Sequence, residues 1–330
     1  MINVAIAGGT GYTAGELLRL LQNHPGVRVV SVVSTTNAGE EISAVHRDLL
    51  GTTSLRFSSK EQLHEMREET DILFLCLGHG ISRQFLQDVS MDQKCRIIDL
   101  GSDFRIDEKY RDEYFVYGLT ELNKDKIKNA RLVANPGCFA TSVILGLAPL
   151  ALEGDLTDEI HIHSVTGSTG AGRTLSETSH FSNRESNISV YKPFTHQHLG
   201  EISKTLNSIS PITIPEINFI PLRGGYTRGI FTSIYTRYKG NRSIEHIEEF
   251  FREFYFSSPF VQISRFPLSL KEVVNTNNAH IHLERHKDYL YIAVVIDNLL
   301  KGASGQAVQN MNLMTGFDED CALRLKASAF

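Results

Sequence analysis

The stretch "AIAGGTGYTAGELLRLL" (5–21) constrains the fold more than any other. It sets Gly8, Gly11 and Gly15 between a short apolar run, "INVAIAG" (2–8), and a segment with apolar residues at helical spacing. Glycine allows a tight strand-to-helix turn and brings backbone N–H groups close to a pyrophosphate at the helix N-terminus. The spacing departs from the usual G-x-G-x-x-G, with Ala14 at the position where helix and strand pack closely. Further apolar runs at 27–34, 71–78, 95–102 and about 130 predict buried strands, with helical segments at 13–25 and 80–89. That alternation predicts a parallel sheet with right-handed crossovers, a Rossmann-type α/β domain. Gly8, Thr10, Gly11, Tyr12 and Thr13 are its candidate cofactor-binding residues. An NAD site usually has Asp or Glu at the end of the second strand, but here the chain reads Ser34, Thr35, Thr36 and has no acid until Glu40. Hydroxyls there accommodate a 2′-phosphate, which favours NADP, although no arginine lies in that turn.

Beyond Pro149 the rhythm changes. Strand-like runs at 159–168, 216–224, 227–238, 279–285 and 289–300 have few helices between them, which predicts an α+β domain with a mixed or antiparallel sheet. A helix over 240–255 is signalled by Ser243 as N-cap with Glu245 and Glu248 in its first turns. The segment 303–317 is helical again and is expected to return to the first domain.

The chain is 330 residues long, enough for two domains. Its formal net charge of −5 gives no general attraction to nucleic acid or anionic membrane. The first residues lack the basic segment of a signal peptide, and no apolar run approaches a membrane span, so a cytoplasmic protein is expected. Four cysteines, at 76, 95, 138 and 321, are too sparse for a disulfide framework or a zinc cluster.

Cys138, in "VANPGCFAT" (133–141), follows a Pro-Gly turn and opens an apolar helix. A helix N-terminus favours a thiolate, so this cysteine is a candidate nucleophile; the competing reading is a packed core thiol, which suits Cys76 better. A thiolate that carries an acyl group needs an acid/base nearby. His196 and His198 in "THQHLGE" are the candidates, with Glu201 able to orient an imidazole. The three His-x-His pairs (161/163, 196/198, 280/282) have no accompanying acidic or cysteine cluster, so no metal site is expected. Arg173, ending the Gly-rich "STGAGR", and Arg223 and Arg228 in "PLRGGYTRGI" suit anionic ligands. "LGHGIS" (77–82), which contains Ser82, and "DLGSDFR" (99–105) follow strands at their carboxyl ends, where such sheets bind ligands.

Together "GGTGYTAGELLRLL", "LGHGIS", "DLGSDFR", "VANPGCFAT", "STGAGR", "HQHLGEI" and "DNLLKGASGQAVQNMNLM" span nearly the whole chain. They resemble the N-acetyl-γ-glutamyl-phosphate reductases, acyl-phosphate reductases of arginine biosynthesis that are related to aspartate-semialdehyde dehydrogenases. The resemblance implies NADPH-dependent reduction of an N-acyl-glutamyl phosphate to the semialdehyde, with release of phosphate, through a thioester on Cys138. It implies an acid/base role for His196, with His198 as the rival, and substrate binding by Arg173 and Arg228. It places Asn298 and Gln306 at the nicotinamide end of the cofactor. It also implies a nucleotide domain of 1–137 with 300–330, a catalytic and dimerisation domain of 138–299, and assembly into homodimers or homotetramers. Gly200 and Ser142 depart from the family pattern and leave room for an N-succinyl or other N-acyl substrate. An aspartate-semialdehyde dehydrogenase is the nearest rival, and a non-catalytic dinucleotide-binding redox sensor is the alternative of a different class.

Overall fold

The computed structural model describes residues 1–329. The chain divides into two compact units, Met1–Pro136 with Ala303–Arg324, and Gly137–Gly302 with the residues from Leu325 on. The end of the chain departs from the sequence expectation. Ser328 N donates to Val274 O at 3.2 Å and Asn275 Nδ2 donates to Ser328 Oγ at 2.8 Å, which ties Ser328 to the second unit.

In the first unit, strands Ile2–Ala7 (β1), Val27–Val33 (β2), Ile72–Leu75 (β3), Arg96–Asp99 (β4), Val116–Tyr117 (β5) and Leu132–Ala134 (β6) form a six-stranded sheet in the order β2-β1-β3-β4-β6-β5. Every pairing is parallel, and β3 is buried throughout, as expected of strands covered on both faces. Helices Tyr12–Leu21 (α1), Ser82–Asp88 (α2) and Thr120–Lys128 (α3) lie on this unit, and Gly305–Thr315 closes it against α1 and α3. That last helix is polar in sequence yet buried on all sides. Its amides make the difference: Gln309 Nε2 donates to Thr120 Oγ1 at 2.7 Å, Asn310 Nδ2 to Gly118 O at 2.9 Å, and Asn312 Oδ1 pairs with His24 Nε2 at 2.9 Å. Buried amides are tolerated where such partners satisfy them.

The second unit is built on a seven-stranded mixed sheet. Its strands are Ile160–Thr166 (β7), Ser189–Val190 (β8), Ile217–Arg223 (β9), Ile230–Arg237 (β10), Val261–Ser264 (β11), Ala279–His286 (β12) and Tyr289–Ile296 (β13), in the order β8-β9-β7-β10-β13-β12-β11. The β9/β7 and β12/β11 pairs are parallel and the others antiparallel. Helix Cys138–Glu153 (α4) lies on one face, with His198–Ile209 (α5) and Ile244–Phe254 (α6) beside it. Helix α5 and the short strands β8 and β11 have no counterpart among the predicted elements.

Helix α4 is apolar around its whole circumference and wholly buried from Phe139 to Ala151. Gly146 permits its close approach to the sheet, since a Cβ there would sit 2.9 Å from Ile234 Cδ1 and from Val294 Cγ2. Pro149 lies inside the helix and cannot donate to Leu145 O; the Tyr255 hydroxyl donates to that carbonyl instead, at 2.6 Å. Ser142 has its own structural reason. Its hydroxyl pairs with Thr232 Oγ1 at 2.8 Å, and Thr232 Oγ1 pairs with Ser164 Oγ at 2.8 Å, a chain of hydroxyls that crosses from helix to sheet. On the sheet's other face, cross-strand pairing aligns His161, Tyr235, Tyr291 and Glu284 in one row. Tyr235, Tyr289, Tyr291, Glu284 and His286 line an open surface there.

In the first unit, Asp99 ends β4 and is fully buried. Its Oδ1 accepts from Ser82 Oγ at 2.7 Å and from Gly101 N at 3.0 Å, while Oδ2 is buried with no hydrogen-bond partner in the protein. Burial lifts this carboxyl to about 6, against the smaller opposing pull of Ser82, Gly101 and Arg105. Because the folded-state value lies above the unfolded one, the folded chain holds the extra proton between them. The group's contribution to stability therefore falls as pH rises from about 4 to about 6. Asp99→Asn keeps an acceptor for Ser82 and Gly101 and removes the titration. Equilibrium denaturation should show the variant gaining on the wild type by on the order of 2–3 kcal/mol across that pH window. A pH-independent difference would mean that the carboxyl ionises normally in the fold.

Candidate functional site

The first unit presents the Gly-rich turn at the N-terminus of α1. Gly8 has φ +82, and a Cβ there would lie 2.3 Å from Cys76 O, so the turn itself demands glycine. Gly11 is different. It caps α1 with an ordinary φ of −77, and a Cβ would meet nothing nearer than 3.7 Å. Glycine is not required there by the protein's own packing, which fits a backbone left open for a ligand. Thr10, Gly11, Tyr12 and Thr13 are all at least partly exposed, and no acidic residue lies in the first turn of α1. These residues suit an anionic pyrophosphate at the helix N-terminus. The close-packing position belongs to Gly15 and not to Ala14. A Cβ on Gly15 would fall 2.7 Å from His46 Nδ1, and His46 Nε2 donates to Gly9 O at 2.7 Å.

After β2, Ser34 is buried and its Oγ accepts from Asn37 N at 3.1 Å and Thr36 N at 3.3 Å, which shapes the turn; Thr35 is exposed on it. An arginine does reach this turn from outside it, as Arg56 Nη1 donates to Gly39 O at 2.9 Å. Ser82 and Gln306, expected at the cofactor, have side chains engaged within the protein. Ser82 is fully buried with its hydroxyl given to Asp99, and Gln306 is fully buried with Nε2 donating to Gly118 O at 3.0 Å. Both side chains face the interior of the unit.

In the second unit Cys138 is the first residue of α4, half-buried, with Gly137 as the N-cap. Glu201 Oε1 accepts from Gly137 N at 2.8 Å, so a buried carboxylate on α5 fixes the peptide just ahead of the cysteine. Gly302 packs against it from the other side of the sequence, since a Cβ there would be 2.8 Å from Cys138 Cβ. The next residue, Phe139, sets its ring edge-on to His196 (5.4 Å between centroids), His198 (6.0 Å) and Phe219 (5.4 Å). The two histidine rings are 4.7 Å apart and both are buried. His196 Nδ1 accepts from His198 N at 3.2 Å, so the neutral His196 ring carries its proton on Nε2. Tyr191 closes the group, 5.6 Å from His196 and 6.5 Å from Phe139. Burial, and then the charge of Cys138, hold its phenol well above the usual value. Cys76 and Cys95 are a contrast, since burial pushes both thiols up to about 12.

Two other residues expected at a ligand are engaged within the protein. Arg228 is committed to Asp297, with Nε to Oδ2 at 3.1 Å and Nη2 to Oδ1 at 3.2 Å, and Asp297 is fully buried. Asp297 also accepts from the backbone of Asn275, Leu299 and Leu300, so the pair holds loops together. Asn298 is likewise engaged, its Oδ1 accepting from Gly229 N at 2.7 Å and its Nδ2 donating to Thr169 Oγ1 at 3.0 Å. Arg173 is exposed beyond that Gly-rich loop. Sequence reasoning missed Tyr191, Arg184 and Gly302 and passed quickly over Arg223. The short aromatic-basic run around Tyr191 carries no motif, and only folding sets it beside Cys138.

Two family descriptions match the chain: "Semialdehyde dehydrogenase, NAD binding domain" over residues 3–130 and "Semialdehyde dehydrogenase, dimerisation domain" over 138–298. Proteins named N-acetyl-gamma-glutamyl-phosphate reductase from Christiangramia forsetii (48% identical over 330 residues) and Azobacteroides pseudotrichonymphae (50% over 330 residues) align along the full length of both chains. Among solved structures, aspartate semialdehyde dehydrogenase II from Vibrio cholerae shares the fold, with a TM-score of 0.74 at 18% identity over 96% of this chain and 99% of that one. An aspartate semialdehyde dehydrogenase with NADP from Candida albicans has a TM-score of 0.69 at 13% identity, covering 96% of this chain and 98% of that one. The chain belongs to the semialdehyde dehydrogenase family, and within it to the N-acetyl-gamma-glutamyl-phosphate reductases.

Proposed function

We propose that this chain reduces N-acetyl-L-glutamyl 5-phosphate to N-acetyl-L-glutamate 5-semialdehyde and phosphate with NADPH, as an arginine-biosynthesis enzyme of the cytoplasm. The unit of residues 1–136 with 303–324 serves the nucleotide, and the unit built on 137–302 serves catalysis and assembly. The observation that carries this reading is Cys138 at the head of the buried helix α4, beside the His196/His198 pair. Its thiolate attacks the acyl carbon, the carbon–oxygen bond to phosphate breaks, and phosphate leaves with the electron pair, so that a thioester remains on the sulfur. When bound, NADPH supplies the hydride that brings this acyl group to the aldehyde level. His196 holds a proton at Nε2, gives it to the carbonyl oxygen as charge develops there, and takes it back when the carbon–sulfur bond breaks. Glu201 keeps the Gly137 peptide, and with it the helix start, in place. The hydroxyl-lined turn after β2 and the nearby Arg56 favour NADP over NAD.

Assembly as a homodimer or homotetramer is part of the same reading. The matched dimerisation domain and the open tyrosine-rich face of its sheet support it. Tyr291→Arg, placed in the centre of that face, should lower the mass seen by light scattering. An unchanged mass would put the interface elsewhere.

Turnover tests the chemistry. Cys138→Ala should abolish phosphate-dependent NADP reduction with N-acetyl-glutamate semialdehyde while NADPH still binds; activity retained in that variant would overturn the covalent route. An N-succinyl substrate run alongside identifies the acyl group. Of His196→Asn and His198→Asn, only the first should lose about 10²- to 10⁴-fold in rate, the usual range for a general acid/base. Equal small losses would place the acid/base on another residue.

A further inference from the structure

Residues paired directly across neighbouring strands share one face of a sheet. In the second unit the register therefore sets His161 and His163 of β7, and His280, His282 and His286 of β12, on the same side as Tyr235 and Tyr291. Helix α4 packs on the opposite side, against Ile234 and Val294. The row through His163 reads Ile220, His163, Ser233, Ala293 and His282 across five strands. Ser233 and Ala293 are small, so a facing chain can come close to the sheet in the middle of this row.

The five histidines differ in what a proton would meet. His161 Nε2 lies 3.7 Å from Glu159 Oε2, and His280 Nδ1 lies 3.7 Å from Glu272 Oε2. Burial, against the pull of Glu272, also makes His280 less basic than an ordinary histidine. Glu284 pairs with both His286, at 2.6 Å, and His282, at 3.0 Å; these two, His286 first, hold its carboxyl below the usual value. His163 alone of the five pairs with no carboxylate among the described residues. Its side chain is exposed, and the ring set against it is Tyr235, parallel at 6.4 Å. The flanking strands bring it Ile220 and Ser233, both uncharged, and the cation of this face, Arg237, sits over Tyr289 instead.

We propose that a second copy of this chain docks on this face only while His163 is neutral, so that protons control assembly through that one ring. The inference rests on the sheet-face assembly read above and adds what regulates it. A second copy is the occupant because the matched dimerisation domain contains this sheet, and because charge is as scarce along the His163 row as in interface cores. A two-fold interface sets the same patch of each copy against the other, so each buries its own His163. A buried imidazolium without a carboxylate is costly, whereas a separated chain leaves the ring in water. Separated chains therefore bind more protons than the assembly, and association weakens as pH falls through the range where histidines charge. Protons at the other four histidines are offset by Glu159, Glu272 and Glu284 in either state.

Sedimentation equilibrium of the full chain at fixed ionic strength tests this between about pH 7.5 and about pH 5.5, either side of the ordinary histidine value. The wild-type dissociation constant should rise about 10- to 100-fold on acidification, the span that one proton on each of two copies allows. His163→Gln should hold its neutral-pH constant throughout, while His286→Gln follows the wild type. His163→Lys is charged at every pH and should associate as weakly at the neutral end as the wild type does at the acid end. Near-UV circular dichroism should stay constant, because each copy keeps its fold; a signal lost together with the mass would overturn the proposal. So would a level wild-type constant, or a His163→Gln variant as pH-dependent as the wild type. With Tyr291→Arg dissociated at neutral pH, either result removes the proton control and leaves the sheet-face assembly standing. With Tyr291→Arg still assembled there, the sheet-face reading and this proposal fall together.

Discussion

The burial of α4 against the mixed sheet is the constraint on which the second unit depends. A helix that is apolar on every side has no face for water, so it must be covered by β10 and β13 below and by α5 and α6 beside it. Fixing that helix along its whole length fixes its first residue, and the first residue is Cys138. Gly146 sets the depth of the helix on the sheet, Tyr255 satisfies the carbonyl that Pro149 leaves open, and the Ser142–Thr232–Ser164 hydroxyls fix the register between helix and strands. The reactive end is then held from outside by Glu201 on the Gly137 peptide. A cysteine placed this way has a fixed backbone while the residue as a whole is only half-buried.

The first unit solves a different problem. Its ligand-facing turn cannot be rigid through side-chain packing, because the glycines that open it to a ligand have no side chains to pack. Rigidity comes from behind: His46 fills the space against Gly15 and donates to Gly9 O, and Ser304 Oγ donates to Thr13 O at 2.8 Å. The helix that contributes Ser304 is itself held by buried amides, which are directional in a way that apolar packing is not. Asp99 belongs to the same set of supports, since it binds the start of α2 to the end of β4.

The fold was legible because its signals are local. Strand periods, the glycine turn and the apolar helix after Cys138 each express themselves within about ten residues, and the two-unit reading followed from the change in strand and helix rhythm after Pro149. The site was legible only in part. Cys138 and the His-x-His segment stand in recognisable motifs; Arg228, Asn298, Ser82 and Gln306 stand in motifs too, and their side chains bind other parts of the protein. A motif reports that a residue type is needed at a place; it does not say whether the side chain points to the ligand or to the loop that shapes the site. Arg228 shows the point well, since its guanidinium suits an anion and finds one in Asp297.

By itself, the sequence determined the fold class, the position of the nucleotide turn and the identity of the cysteine that heads the buried helix. These follow from short-range periodicity and from backbone geometry that only glycine or proline permits. Tertiary structure alone decided that Arg228 is committed to a buried acid and that His46 is the residue that meets Gly15. Those outcomes depend on partners 31 to 69 positions away in the chain, such as His46 with Gly15 and Asp297 with Arg228. No local pattern encodes a contact between segments that are adjacent only after the chain has folded.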